Sequence, residues 1–338
     1  MAPLGQETVA VLVALGSFPL SLGITRVLMT WNLSKGIVGI DAHKLSSPKI
    51  PEMCGASVPI TVILFGLLYA LTQGAQSLIL LSYCLVVGLA GLVGAIDDMF
   101  KLPGIYKPLM TIFCGMPILV LGLLYPGQVY NSTLKVPIFG AFHLPIIYPL
   151  TILVAIAVSS NTVNMLDPLN GSMAGAMTIV CVGLVIGLVL LAGSSTIVFL
   201  YSSLAFALLG FYYYNKYPAR AFAGNVGQLS IGASIGALAI LGRIEIASIV
   251  AIFPNIQNSF FFLSKIRRFT EHRRLKARPT KLLEDGRLAS SEDEGAPLTL
   301  VRTLIVVRPS TEPEIVHTIF ALFVISTSLA VVTMLLTG

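Results

Sequence analysis

Apolar residues run along this chain in long blocks, and short stretches between the blocks carry nearly all the charge. The block from Leu78 to Ile96 is almost uncharged and ends directly on Asp97 and Asp98. A helix needs about 20 apolar residues to cross the roughly 30 Å hydrocarbon core of a bilayer, so a block of this length reads as a span. Ten blocks are read this way: 8–29, 57–72, 76–96, 108–125, 145–160, 172–192, 195–214, 227–242, 244–263 and 314–336. The expected fold is an all-α polytopic membrane protein of about ten transmembrane helices, folded as a single domain over 1–338. The first block, Val9 to Met29, is long enough to be a span itself, so no cleavable signal peptide is required.

The polar segments between the blocks predict little regular structure. Pro48 and Pro51 exclude a continuous helix from the first of them, which is expected to be an ordered loop. The longest, 264–313, is too small and too charged for a sizeable core of its own. Within it Thr280–Leu288 and Leu298–Val307 are candidate short strands around the turn signal Glu284-Asp285-Gly286, and Ser290 to Glu294 is a solvated acidic tip.

Composition agrees with a membrane protein. The 338 residues are 56% hydrophobic and only 11% charged, with a mean hydropathy of +0.90, where soluble domains carry about 25% charge. The distribution of charge then orients the chain. With ten spans and an external N-terminus, segments 30–56, 97–107, 161–171, 215–226 and 264–313 lie on the cytoplasmic side. Of the 21 Lys and Arg only Lys135 and Arg243 fall on the other side, leaving 19 in or at the edge of cytoplasmic segments. That asymmetry is the positive-inside signal. The net charge of +6 thus describes one face, suited to anionic lipid and nucleotide. The four cysteines, Cys54, Cys84, Cys114 and Cys181, have neither disulfide nor zinc spacing and read as small core residues. Asn131-Ser132-Thr133 in the external loop is a glycosylation sequon.

The candidate chemistry collects on that same face. Asp97 and Asp98 close one span, with Lys101 and Lys107 nearby. Acids in hydrocarbon are expensive, so the pair belongs at the membrane surface. Adjacent helical residues point about 100° apart, so one could face a metal or phosphate and the other a neighbouring cation. The first cytoplasmic segment carries Asp41, Lys44 and Glu52. The third carries Asn161, Asn164 and Asp167 at intervals of three, on one face of a helix end that Pro168 and Gly171 then break. Gly224-Asn225-Val226-Gly227 turns into an apolar helix whose free N–H groups would hold an anion, although a plain helix cap explains it equally. The last loop adds Glu271-His272-Arg273-Arg274. Carboxylates, amides and cations converging on one surface suit a nucleotide diphosphate with Mg²⁺, which prefers oxygen ligands and usually bridges phosphates. Transporters place polar groups near the midplane on broken helices or repeats, and no repeat is visible here. A CDP-alcohol type of phosphotransferase would need several regularly spaced Asp residues, and only the Asp97-Asp98 pair is present.

These segments, taken in order, resemble the polyprenyl-phosphate N-acetylhexosamine-1-phosphate transferases. That superfamily contains the bacterial phospho-MurNAc-pentapeptide translocase and the UDP-GlcNAc–dolichyl-phosphate GlcNAc-1-phosphotransferase of the eukaryotic and archaeal branch. Five motifs carry the likeness over essentially the whole chain: Asp41…Lys44…Ile50-Pro51-Glu52, Asp97-Asp98 with Lys107, Asn161-x-x-Asn164…Asn170-Gly171, Tyr217-Pro218-x-Arg220…Gly224-Asn225, and His272-Arg273. A single His followed by Arg, and Asn-Gly at 170–171, are similar to the dolichyl branch.

The resemblance implies transfer of GlcNAc-1-phosphate from UDP-GlcNAc to dolichyl or another polyprenyl phosphate, releasing UMP, as the first lipid-linked step of N-glycan assembly. The alternatives are a related transferase with another UDP-sugar and a lipid or sugar-phosphate transporter. It implies Mg²⁺, or alternatively Mn²⁺, as cofactor and the bilayer as partner, with no nucleic acid; a homodimer is compatible with it. The active site would face the cytoplasm, in an archaeal cell membrane or the endoplasmic reticulum. By the same resemblance Asp97, Asp98, Lys107 and His272 are catalytic, the two acids activating the lipid phosphate. Asp41, Lys44, Glu52, Asn161, Asn170, Gly171, Arg220 and Arg273 are substrate-binding, with Asn170 on the uridine. Asn164, Asn225 and Asp167 are metal ligands. One departure stands out: relatives commonly have Asp where this chain has Asn225, and Asp167 is expected to restore part of that charge.

Overall fold

The computed structural model describes residues 5–72, 74–266 and 277–337. It is mostly helical. The chain begins with α1 (Gln6–Ala14) and α2 (Ser17–Ser34), which together form one 29-residue candidate span. A hairpin of β1 (Val38–Ile40) and β2 (Lys49–Pro51) leads to α3 (Ser57–Ala70) and α4 (Ser77–Phe100). Next come α5 (Tyr106–Phe113) and α6 (Met116–Leu124), then a second hairpin, β3 (Thr133–Val136) with β4 (Gly140–His143). The helices α7 (Tyr148–Met165), α8 (Ser172–Leu190), α9 (Ser195–Asn215) and α10 (Gly224–Leu241) follow. The chain closes with α11 (Glu245–Ala251), α12 (Phe253–Ile266), β5 (Thr280–Leu282), β6 (Leu288–Ser290), α13 (Leu300–Leu304) and α14 (Glu312–Leu335).

Among the described residues eight helices are long and apolar enough to cross a membrane. A ninth span is formed if α11 and α12, bent by 66°, are taken as one. Of the ten blocks read from the sequence, the remaining one corresponds to the shorter apolar helix Cys54–Ala70. The protein is therefore an all-α integral membrane protein with small two-stranded sheets in its loops. One expectation is corrected. Thr280–Leu282 is a strand, but it pairs with Leu288–Ser290 across the Glu284-Asp285-Gly286 turn. Leu298–Val307 is not a strand; it contains α13, because the Thr299 hydroxyl accepts the Arg302 N–H (3.1 Å) and caps a helical turn there.

The middle of the fold is α10, which packs along α4 on one side and α7 on the other. Every α10 residue except Gln228 is buried. Such close approach needs small residues, as is usual where lipid supplies no hydrophobic drive for helix association. At Gly94 on α4 an added Cβ would lie 2.3 Å from the Asn225 carbonyl oxygen, so only glycine lets the two helices meet there. On the other side Ser160 of α7 donates its hydroxyl to the Leu229 carbonyl (2.9 Å). The α4–α10 contact at Gly94 sets the end of α4, with its two acids, directly against the first turn of α10. The four cysteines are free and buried.

Candidate active site

A cavity of about 810 Å³ opens where the charged segments meet. It is built from the ends of α5, α7, α9, α10 and α12 together with the loops before α3, α5, α8 and α10. The loop before α10 is fixed by main-chain bonds to the first hairpin region: Phe222 N–H donates to the Pro51 carbonyl (2.9 Å), and Cys54 and Gly55 N–H donate to the carbonyls of Phe222 (2.9 Å) and Ala223 (3.1 Å). Glu52 and Gly224 thereby come to the same rim.

The floor is a chain of charges. Asp97, 2% exposed, pairs with Lys107 (Oδ2 to Nζ, 2.7 Å) and also accepts the Leu102 N–H (3.0 Å). Lys107 donates onward to Asn225 Oδ1 (3.3 Å) and lines the cavity. Asp98 points the other way. Its carboxylate accepts Asn225 N–H (2.9 Å), Asn225 Nδ2–H (2.7 Å) and Val226 N–H (3.0 Å). The start of α10 does hold an anion, but that anion is the protein's own Asp98, favoured by the free N–H groups and the positive end of the helix dipole. Neither Asp97 nor Asp98 lines the cavity. Asp97 holds Lys107 in position, and Asp98 holds Asn225 with its amide oxygen toward Lys107.

One wall is the end of α7. Asn161, Asn164 and Asp167 all line the cavity, as their spacing predicts. Asn161 ties α7 to α5, donating its amide to Thr111 Oγ1 (2.8 Å) and to the Ala157 carbonyl (2.8 Å). Asn164 makes no side-chain hydrogen bond among the described residues and so presents its amide to the cavity. Asp167 accepts Gln228 Nε2–H (2.6 Å). Burial pushes the Asp167 carboxyl up to about 7, against the opposing pull of donors from Gln228, Met173 and Ser172.

Asp41 and Asn170 also line the cavity. Asn170 Nδ2 donates to Asp41 (3.0 Å) and to Glu312 (2.5 Å), while Asn170 N–H donates to the same Glu312 oxygen (2.6 Å). Lys44 pairs with Asp41 (3.4 Å) and Glu312 and lies over the Tyr217 ring, 4.4 Å from its centroid. Beside them His43 is held below its usual range by burial, which outweighs the carboxylates of Glu312 and Asp41. The third flank is apolar: Ile112, Val154, Val158, Ile256, Phe260 and Leu263.

Besides Asp97 and Asp98, three further candidates stand apart from the cavity lining. Lys44 supports the rim from behind. Gly171 has φ +77° at the start of α8, where an added Cβ would meet the Tyr212 ring at 2.8 Å, so it shapes the turn that presents Asn170. Arg220 is exposed and packs on the rings of Tyr213 and Tyr214 at 5.0 and 4.9 Å. His272 and Arg273 lie outside the described residues. Sequence reasoning missed Glu312, Gln228 and Thr111. Glu312 lies in Thr311-Glu312-Pro313-Glu314, which reads as an ordinary helix start, and Glu314 does take the Thr311 N–H (2.8 Å).

The family model described as glycosyl transferase family 4 matches residues 78–243, which include the α5, α7 and α10 parts of the cavity. A Methanocaldococcus jannaschii protein provisionally named a glycosyltransferase is 32% identical over 82% of this chain and 81% of its own length. A Saccharolobus solfataricus protein, provisionally named a UDP-N-acetylglucosamine–dolichyl-phosphate N-acetylglucosaminephosphotransferase, is 29% identical over 73% of this chain and 76% of its own. The phospho-N-acetylmuramoyl-pentapeptide-transferase of Thermodesulfovibrio yellowstonii is 32% identical over 46% and 50% respectively. The chain belongs to glycosyl transferase family 4, and its reaction class is phosphosugar transfer within a membrane.

Proposed function

We propose that this protein transfers GlcNAc-1-phosphate from UDP-GlcNAc to a dolichyl or other polyprenyl phosphate, releasing UMP. The observation that carries the reading is one cavity lined both by Lys107, carboxylates and amides and by a set of apolar side chains that includes Ile112, Val154, Val158, Ile256, Phe260 and Leu263. A nucleotide-sugar diphosphate fits the first and an isoprenoid chain the second. A lipid phosphate oxygen would form a bond to the phosphorus that carries the sugar while the bridge to UMP breaks. That exchange needs charge neutralisation and alignment rather than a covalent enzyme intermediate. Lys107 supplies a fixed cation at the floor, held by Asp97 so that it need not reorganise as charge shifts.

Mg²⁺ would neutralise the diphosphate when bound. Asn164, Asp167 and the amide oxygen of Asn225 are the residues to hold it, all lining the same cavity. No group of three His, Cys, Asp or Glu side chains suited to a metal exists among the described residues. One carboxylate with amide oxygens still fits Mg²⁺, which keeps several waters and takes phosphates as its other ligands. Asp167 is the carboxylate in that set. The positive-inside asymmetry supports a cytoplasmic site.

The test is release of UMP by purified protein in detergent, with dolichyl phosphate, UDP-GlcNAc and Mg²⁺. Asp97→Asn should lower kcat by at least about 100-fold, the effect of removing one preorganised electrostatic contact. UMP release with UDP-MurNAc-pentapeptide and not with UDP-GlcNAc would replace the sugar. Folded protein with no release from either donor overturns the proposal.

A further inference from the structure

Glu312 opens α14 yet is only 4% exposed, and no motif in the sequence includes it. One of its oxygens accepts both Asn170 N–H (2.6 Å) and Asn170 Nδ2–H (2.5 Å), and the other takes Lys44. Asp41 is a second acceptor for the same Nδ2 (3.0 Å). An amide flanked by two carboxylates turns its NH₂ toward them, because its oxygen there would face negative charge without a proton between. Asn170 Oδ1 is then left buried with no partner among the described residues, on a side chain 6% exposed that lines the cavity. A buried acceptor without a donor is destabilising, so a water or a ligand that brings an N–H or O–H would complete the site.

We propose that Glu312 is a positioning residue that sets nucleobase specificity: it locks Asn170 with Oδ1 as a fixed acceptor, selecting uracil, whose ring N3 carries a proton, over cytosine, whose N3 is itself an acceptor. The inference rests on the uridine-nucleotide reading above, with Asn170 at the base. A site built to pair with one proton rejects the analogue that lacks it, because its own buried group stays unpaired. Gln at 312 can donate as well as accept, so it lets the Asn170 amide turn over.

The experiment is calorimetric titration of the purified full chain with UDP, CDP and N3-methyl-UDP in Mg²⁺. The wild type should bind UDP at least tenfold more tightly than CDP or the N3-methyl analogue. Glu312→Gln should shrink the UDP/CDP ratio about tenfold, whereas simple loosening of the rim would weaken both nucleotides alike and keep the ratio. Asp41→Asn removes the second carboxylate and should move the ratio the same way. Equal wild-type affinity for UDP and N3-methyl-UDP overturns the inference without any variant, as does an unchanged ratio in the folded variants. Failure of the wild type to bind any uridine nucleotide overturns the underlying reading as well.

Discussion

Asp97 and Asp98 are neighbours in the chain and leave α4 in different directions, one to Lys107 and the other to the first turn of α10. The 100° step between helical residues makes such a division legible from sequence. The partners were not, because Lys107 and Asn225 meet only through packing of three helices. The α7 stripe was more legible, since a spacing of three puts Asn161, Asn164 and Asp167 on one face wherever that helix goes. Asp167 also has a testable titration. Its carboxyl is raised to about 7 by burial, against roughly 3.9 in an unfolded chain. Between those values the folded protein keeps a proton that the unfolded chain has lost, so stability falls as pH rises from about 4 to about 7 and levels off above. In metal-free protein the slope should reach about 1.4 kcal/mol per pH unit at most, and Asp167→Asn should flatten it. Thermal melts across that range check this, and an equal slope in both proteins refutes it.

Among the elements, the α4–α10 contact decides where the site's charges stand. Gly94 permits it, and a valine there would drive side-chain atoms into the Asn225 carbonyl. Gly94→Val should cost about 1–3 kcal/mol or more, as overpacking does. Gly88→Ala on the same helix meets nothing closer than 3.8 Å and should be near neutral. Detergent melting temperatures compare the two, and equal melting would show that the contact is dispensable. Hydrophobic blocks made the long helices readable, since a bilayer enforces length and internal hydrogen bonding. The loops were less readable. The β1–β2 hairpin runs through Pro48 and Pro51 with a register set by backbone partners. Leu298–Val307 alternates enough to suggest a strand, yet Thr299 caps a helical turn within it.

For the whole molecule, the asymmetry of Lys and Arg predicts orientation. In a background with the four buried cysteines replaced by alanine or serine, Ser132→Cys should react with a membrane-impermeant maleimide on intact cells. Ser291→Cys should react only after the membrane is opened. The reverse pattern would put the cavity on the external side. Sequence alone determined the class: apolar blocks of bilayer length need helices, and the ordered motifs point to a phosphosugar transferase; charge bias predicts the orientation of those helices. It also named most of the polar residues that line the cavity, because helical spacing and helix ends are local properties. Only the tertiary structure decided what each charge does. Asp98 is spent on a helix start, Asp97 holds a lysine, Arg220 stacks on tyrosines, and Glu312 fixes Asn170 from a distance of 142 residues along the chain. Those assignments depend on which helices touch, and contact between distant segments leaves no period or spacing in a single sequence.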